Sequence, residues 1–189
     1  MGAYLDRLDK MVVNTVSPTR VVKVRIARKE GIRVDFGSQG VRGLSADQLA
    51  DEVSKAVSAA LKGSEKGAEA ARVAARKERG AEVDDSDETP RPRNPKTAER
   101  RRRARQAVEK VRVRAESAHG MTAAEWRGRC DVKVRIAPEA LTRFDENTLC
   151  RALNETLEAV RKKHSNALVA IFKKVYEFDR FGENVKVKP

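Results

Sequence analysis

The sequence predicts an α+β fold made of two tandem α-β-β-β-α modules, each with a three-stranded antiparallel sheet, and three observations predict it. Residues 11–60 align without a gap on residues 111–160, at an offset of 100. Within each block, short runs of period-two apolar residues precede a run in which they recur at every third or fourth position. Between the blocks the composition changes abruptly. Only Val13, Ser17, Val34, Leu49 and Ala59 are identical across the offset, so the repeat resides in its apolar pattern. Ile32, Val34 and Phe36 fall on Val132, Val134 and Ile136, while Leu49, Val53 and Val57 fall on Leu149, Leu153 and Leu157.

Each block reads as helix, three strands, helix. In the first, residues 11–16 form a short strand and Ser17-Pro18-Thr19 a turn, since proline supplies a turn's fixed backbone angle. Val22, Val24 and Ile26 alternate with Lys23 and Arg25. After a turn at Lys29-Glu30-Gly31, Ile32, Val34 and Phe36 alternate with Arg33 and Asp35. Residues 37–43 form a loop, and Ser45 caps a helix lined by Leu49, Val53, Val57 and Leu61.

The second block repeats this order. Val111 and Val113 alternate with Arg112 and Arg114, His119-Gly120 turns the chain, and residues 121–127 form the middle strand. Val132, Val134 and Ile136 alternate with Lys133 and Arg135, and Pro138 ends that strand. Asp145 caps a helix lined by Leu149, Leu153, Leu157 and Val160, which continues or restarts through Leu168, Ile171, Phe172, Val175 and Tyr176. This last apolar stripe wants a partner surface, as core or as a dimer contact.

Between the blocks, residues 64–79 are rich in alanine and suit a helix. Residues 80–96 hold Asp84, Asp85, Asp87 and Glu88, then Pro90, Pro92 and Pro95, with no apolar residue after Val83. Such a stretch cannot offset its ordering entropy, so a flexible linker is expected there. The modules are then residues 1–79 and 97–189. Next comes Arg100, Arg101, Arg102, Arg103 and Arg105, on a helix that Thr97 caps and whose apolar side is Ala104, Ala107, Val108 and Val111. Cations at a helix N-terminus oppose the macrodipole, so the fold gains nothing from five of them.

Charge points to the partner. The 189 residues carry 41 Lys and Arg against 28 Asp and Glu, a formal +13, and residues 96–120 alone carry nine cations against three anions. Such a field attracts polyanions. No run approaches the ~18 apolar residues of a membrane span, and the N-terminus lacks a signal peptide's basic and apolar regions, so a cytoplasmic protein is expected, with no membrane partner. Cys130 and Cys150 stand apart with no histidine at ligand spacing, and His119 and His164 have no partner in sequence. No phosphate loop, serine elbow or Cys/His constellation occurs, so no enzyme, cofactor, metal or small-molecule substrate is expected.

The run Val132-Lys133-Val134-Arg135-Ile136-Ala137-Pro138-Glu139-Ala140-Leu141, followed by Asp145-Glu146-Asn147-Thr148-Leu149, resembles the YbaB/EbfC family of bacterial nucleoid-associated proteins. Gly31-Ile32-Arg33-Val34-Asp35-Phe36 and Leu44-Ser45-Ala46-Asp47-Gln48-Leu49-Ala50 resemble it more loosely, without the proline. The resemblance covers about 100 of the 189 residues. It implies a helix, three strands and a helix, a dimer joined through its sheets, and helices that hold duplex DNA like tweezers. Two copies in one chain depart from the family's homodimer and can pair with each other as a pseudo-dimer.

The expected partner is therefore double-stranded DNA, gripped by its phosphates with weak sequence preference. The residues expected to do this are Arg100, Arg101, Arg102, Arg103, Arg105, Lys110 and a helix-end group of Arg161, Lys162 and Lys163. Lys23, Arg25, Arg33, Arg112, Arg114, Lys133 and Arg135 are second choices, because alternation places them only on a polar sheet face. The acidic run at residues 84–88 is a candidate to fold back on the arginines. Two other readings stay open: an adaptor that docks a protein on the stripe from Leu168 to Tyr176, and an RNA- or ribosome-binding protein. At 4% aromatic residues, the chain offers little for single-strand stacking platforms.

Overall fold

A computed structural model describes residues 2–38, 40–78 and 95–182. In chain order the elements are α1 (Gly2–Lys10), β1 (Val12–Val16), β2 (Val22–Ala27), β3 (Gly31–Phe36), α2 (Ala46–Lys77), α3 (Pro95–Glu109), β4 (Arg112–Glu116), β5 (Thr122–Arg127), β6 (Asp131–Ile136), α4 (Ala140–Arg143) and α5 (Glu146–Gly182). The fold is α+β, with two antiparallel sheets ordered β1-β2-β3 and β4-β5-β6. The offset of 100 holds residue by residue: Val22 pairs with Phe36 and Thr122 with Ile136, Val12 with Ala27 and Arg112 with Arg127.

Both β1-β2 type turns are built alike. Ser17 N–H donates to the Val22 carbonyl and the Ser17 hydroxyl accepts from Val22 N–H; Ser117 does the same with Thr122. Ser45 caps α2 in a reciprocal box: its hydroxyl accepts from Gln48 N–H at 3.2 Å, and Gln48 Oε1 accepts from Ser45 N–H at 2.8 Å. Asp145 Oδ1 accepts from Thr148 N–H at 2.7 Å to cap α5, and this bond holds its carboxyl below the usual carboxylate range.

Two expectations are corrected. Thr97 caps nothing, because α3 begins at Pro95. Proline suits a first helical position, where its missing N–H leaves no bond unmade, so the arginine helix starts two residues inside the expected linker. Residues 161–163 are not a helix end, because α5 runs on without a break to Gly182. The short helix α4 was not expected. Its counterpart in the first module is a loop with glycines at positive φ, Gly40 and Gly43. The acidic run at 84–88 lies outside the described residues.

The two modules share one core. α2 packs on β1 and β2 of its own sheet and on β6 of the other, while α5 packs on β4 and β5 and on β3. Leu49, Val53 and Val57 from α2 join Leu149, Leu153, Leu157 and Val160 from α5 and Val22, Val24, Val34 and Val132 of the two sheets, all within 1% of complete burial, with Val134 at 6% and Val13 and Val113 packed against them partly buried. Each fully buried leucine or valine is worth about 1.5–3 kcal/mol against exposure.

Each helix also closes an edge of the opposite sheet. On β6, Val134 N–H donates to the Ser54 hydroxyl at 2.8 Å and Val132 N–H to the Ser58 hydroxyl at 3.0 Å. On β3, Val34 N–H donates to Asn154 Oδ1 at 2.7 Å, and Asn154 Nδ2 donates to the Val34 carbonyl at 2.9 Å. Positions 54 and 154, and 34 and 134, are twins across the offset, so the exchange is reciprocal. The chain is a pseudo-dimer within itself.

Candidate nucleic-acid interface

Apolar residues recurring at helical spacing fix how α3 sits. Ala104 and Val108 are buried, Thr97, Arg100 and Ala107 half-buried, and the helix packs on α5. With that face occupied, Arg101, Arg102, Arg103, Arg105 and, just beyond the helix, Lys110 turn outward and are exposed. Arg100 lies at the margin of the packed face, not on the open one. Five arginines and Lys96 share this 15-residue helix with only Glu99 and Glu109. One of the pairs is internal: Arg103 meets Glu99 at 2.6 Å, one turn back, with both side chains exposed. An exposed i,i+4 pair of this kind is worth about 0.3–0.5 kcal/mol, so it yields to a stronger anion.

Arg129, in the turn after β5, anchors the far end of α3. It reaches Glu109 at 3.4 Å and Glu65 on α2 at 2.6 Å, tying the arginine helix to both modules. Arg28 and Asp9 make the matching link from the β2-β3 turn to α1 at 2.8 Å. Sequence reading passed over Arg129, which stands alone in a turn; its only signal is that Arg28 and Asp9 sit at nearly the same places one repeat earlier.

The expected group at residues 161–163 is divided. Arg161 is half-buried and forks onto Glu158 through two bonds of 2.7 Å, which raise the guanidinium's pKa and lower that of the carboxyl. Lys163 Nζ donates to the Arg114 carbonyl at 2.8 Å. Both are spent on the fold. Lys162, whose side chain is 70% exposed and 3.9 Å from Glu158, presents its charge outward.

Lys23, Arg25, Arg33, Arg112, Arg114, Lys133 and Arg135 are all exposed on outer sheet faces. Carboxylates are interleaved with them. Arg25 meets Glu30 at 3.2 Å, and Arg114 meets Glu116 at 2.5 Å. In register across the second sheet, Arg114 stands beside Glu125 and Glu125 beside Lys133. Arg127 forks onto Glu125, which lowers the carboxyl's pKa. A charge lattice of mixed sign gives a weaker field than the face of α3. Lys133 and Arg135 also line a groove of about 580 Å³ between α2 and β6, facing Lys55 and Lys62 but also Asp51 and Asp131.

The remaining chemistry is structural. His164 is buried, stacks on Trp126 with ring centroids 4.3 Å apart, and its Nε2–H donates to the Gly128 carbonyl at 2.8 Å. Cys130 and Cys150 are free, and burial, with Glu65 adding to it, pushes the Cys130 thiol up to about 11. Such a thiol stays protonated and is a poor nucleophile or ligand at neutral pH. Among the described residues no His, Cys, Asp or Glu cluster converges as a metal site, and no helix is long and apolar enough to cross a membrane.

Comparison of the chain with family models, with curated proteins and with solved structures gives no match.

Proposed function

We propose that this protein binds double-stranded DNA through its phosphate backbone, as a nucleoid-associated protein of the YbaB/EbfC type in the bacterial cytoplasm. The observation that carries this reading is the outward face of α3, where Arg101, Arg102, Arg103 and Arg105 stand on a helix fastened at its back by Ala104 and Val108. Each cation near the helix N-terminus costs a few tenths of a kcal/mol against the macrodipole. Guanidinium groups suit phosphate because their planar fork gives two parallel hydrogen bonds. Lys110 and Lys162 add further exposed cations, whereas Lys163 holds α5 to β4 and Arg161 pairs with Glu158 within α5 itself.

Phosphate contacts set register and affinity without reading bases, so sequence preference is weak. The test is anisotropy of a labelled duplex across a salt series, with single-stranded RNA as competitor. If six phosphates are neutralised, log K falls against log salt with a slope of about −5, and Arg101→Ala, Arg102→Ala and Arg103→Ala together flatten it by about 3. Binding that ignores salt, or that the RNA competes away in preference to the duplex, overturns the reading.

One observation favours a second reading, docking of a protein partner on α5. Val169, Phe172 and Tyr176 are 51%, 44% and 46% exposed on one stripe. A partner that survives nuclease treatment and is lost with Phe172→Ser supports it.

A further inference from the structure

Each sheet has two edges, and three of the four are closed. Ser54 and Ser58 close β6, and Asn154 closes β3. On β4, the outward-pointing backbone is that of Arg112, Arg114 and Glu116, because Ser117 N–H points inward to Thr122 and antiparallel strands alternate. Lys163 caps the Arg114 carbonyl there, and charged side chains guard the rest. Natural edge strands are protected in this way against pairing with other chains.

β1 lacks every one of these guards. By the same alternation, Val12, Asn14 and Val16 point their N–H and C=O groups away from β2. The twin of Lys163 is Gly63, which has no side chain to offer, and among the described residues none caps the Asn14 backbone. The twins of Arg112 and Glu116 are Val12 and Val16, 41% and 52% exposed. The same fold thus closes one outer edge and leaves the other bare and apolar.

We infer that β1 is an interface for a second copy of this chain, which adds its own β1 antiparallel about a twofold axis through Asn14. The strand is self-complementary in that register. Val12 meets Val16 of the second copy, Asn14 meets Asn14, and Val13 meets Thr15, so no like charges oppose. The corresponding pairing of β4 with itself sets Arg114 against Arg114 and requires Lys163 to leave. A twofold axis makes the contact closed, so it stops at two chains and joins two three-stranded sheets into one of six. β1 carries none of the proposed phosphate contacts, so the pairing needs no DNA and is independent of that proposal.

The experiment is sedimentation equilibrium of the full chain without DNA, over a concentration series into the high micromolar range. The wild type gives twice the 21.0 kDa chain mass, and Asn14→Arg, which copies the β4 residue onto the axis, gives the single mass with an unchanged circular dichroism spectrum. In a second variant, Asn14→Cys, the two Cα atoms lie about 5.5 Å apart as a hydrogen-bonded pair, within the ~4.4–6.8 Å that a disulfide spans. On oxidation it yields a covalent dimer that the wild type, whose two cysteines are half-buried, does not. A wild type that stays at the single mass throughout overturns the inference. So does a dimer that persists in Asn14→Arg, or one in which Asn14→Cys fails to cross-link, since the contact then lies elsewhere or another molecule occupies the edge.

Discussion

Arg20 and Gly120 close twin turns with the same left-handed backbone, at φ 63° and 67°, and each N–H donates to its own serine carbonyl at 2.9 Å. That conformation strains any residue with a Cβ. A Cβ at Gly120 meets nothing within 4 Å, so Gly120→Ala isolates the backbone cost and lowers stability by about 1 kcal/mol. Arg20→Gly raises it by about 0.5 kcal/mol, because relief of strain is partly offset by the freer unfolded chain. Urea midpoints at constant slope check both. His164 gives a pH signature. Burial lowers its pKa from the ordinary 6.5, with the bond to the Gly128 carbonyl opposing the shift. The unfolded chain therefore takes up this proton at a higher pH than the folded one. The stability of keeping the ring neutral is complete above about pH 6.5 and is lost as pH falls through the depressed folded value. Between pH 7 and 5 the urea midpoint falls, and His164→Gln makes the fall shallower; equal slopes in the two proteins exclude this source.

At the scale of elements, the exchanged helix caps predict where the edges open. Ser54→Ala leaves the Val134 N–H buried without a partner and costs about 1–3 kcal/mol. Amide hydrogen exchange then quickens at Val134, while Val132, held by Ser58, keeps its protection; uniform quickening along β6 contradicts the local account. The strands and their apolar faces were legible in the sequence because period two is set by local backbone geometry, and Ser45 and Asp145 were legible because a cap acts on its own helix. Ser54 and Asn154 were not. They interrupt apolar helix faces, and their partners lie 80 and 120 residues away in the other half. The same limit applies to Lys163, which in sequence is part of a basic run and which only the fold brings to a carbonyl 49 residues back. Arg101, Arg102 and Arg103 were easier to read, since four adjacent arginines on a helix cannot all face inward.

For the whole molecule, one core drawn from both modules predicts one unfolding event. Calorimetry gives a single transition whose calorimetric and van't Hoff enthalpies agree, because neither sheet keeps its inner face covered once the opposite helix leaves. Residues 1–79 and 97–189 made as separate chains are each unfolded, and mixing them restores the helical spectrum; a folded half alone refutes the shared core. A homodimer carries every replacement on both sides of its axis at once, so one arm cannot turn greasy while the other stays wet. Joined in a single polypeptide, the arms are released from that bond. Val169, Phe172 and Tyr176 stand on one where Glu69, Arg72 and Arg76 stand on the other, and each can answer to a separate neighbour while the interior still demands likeness.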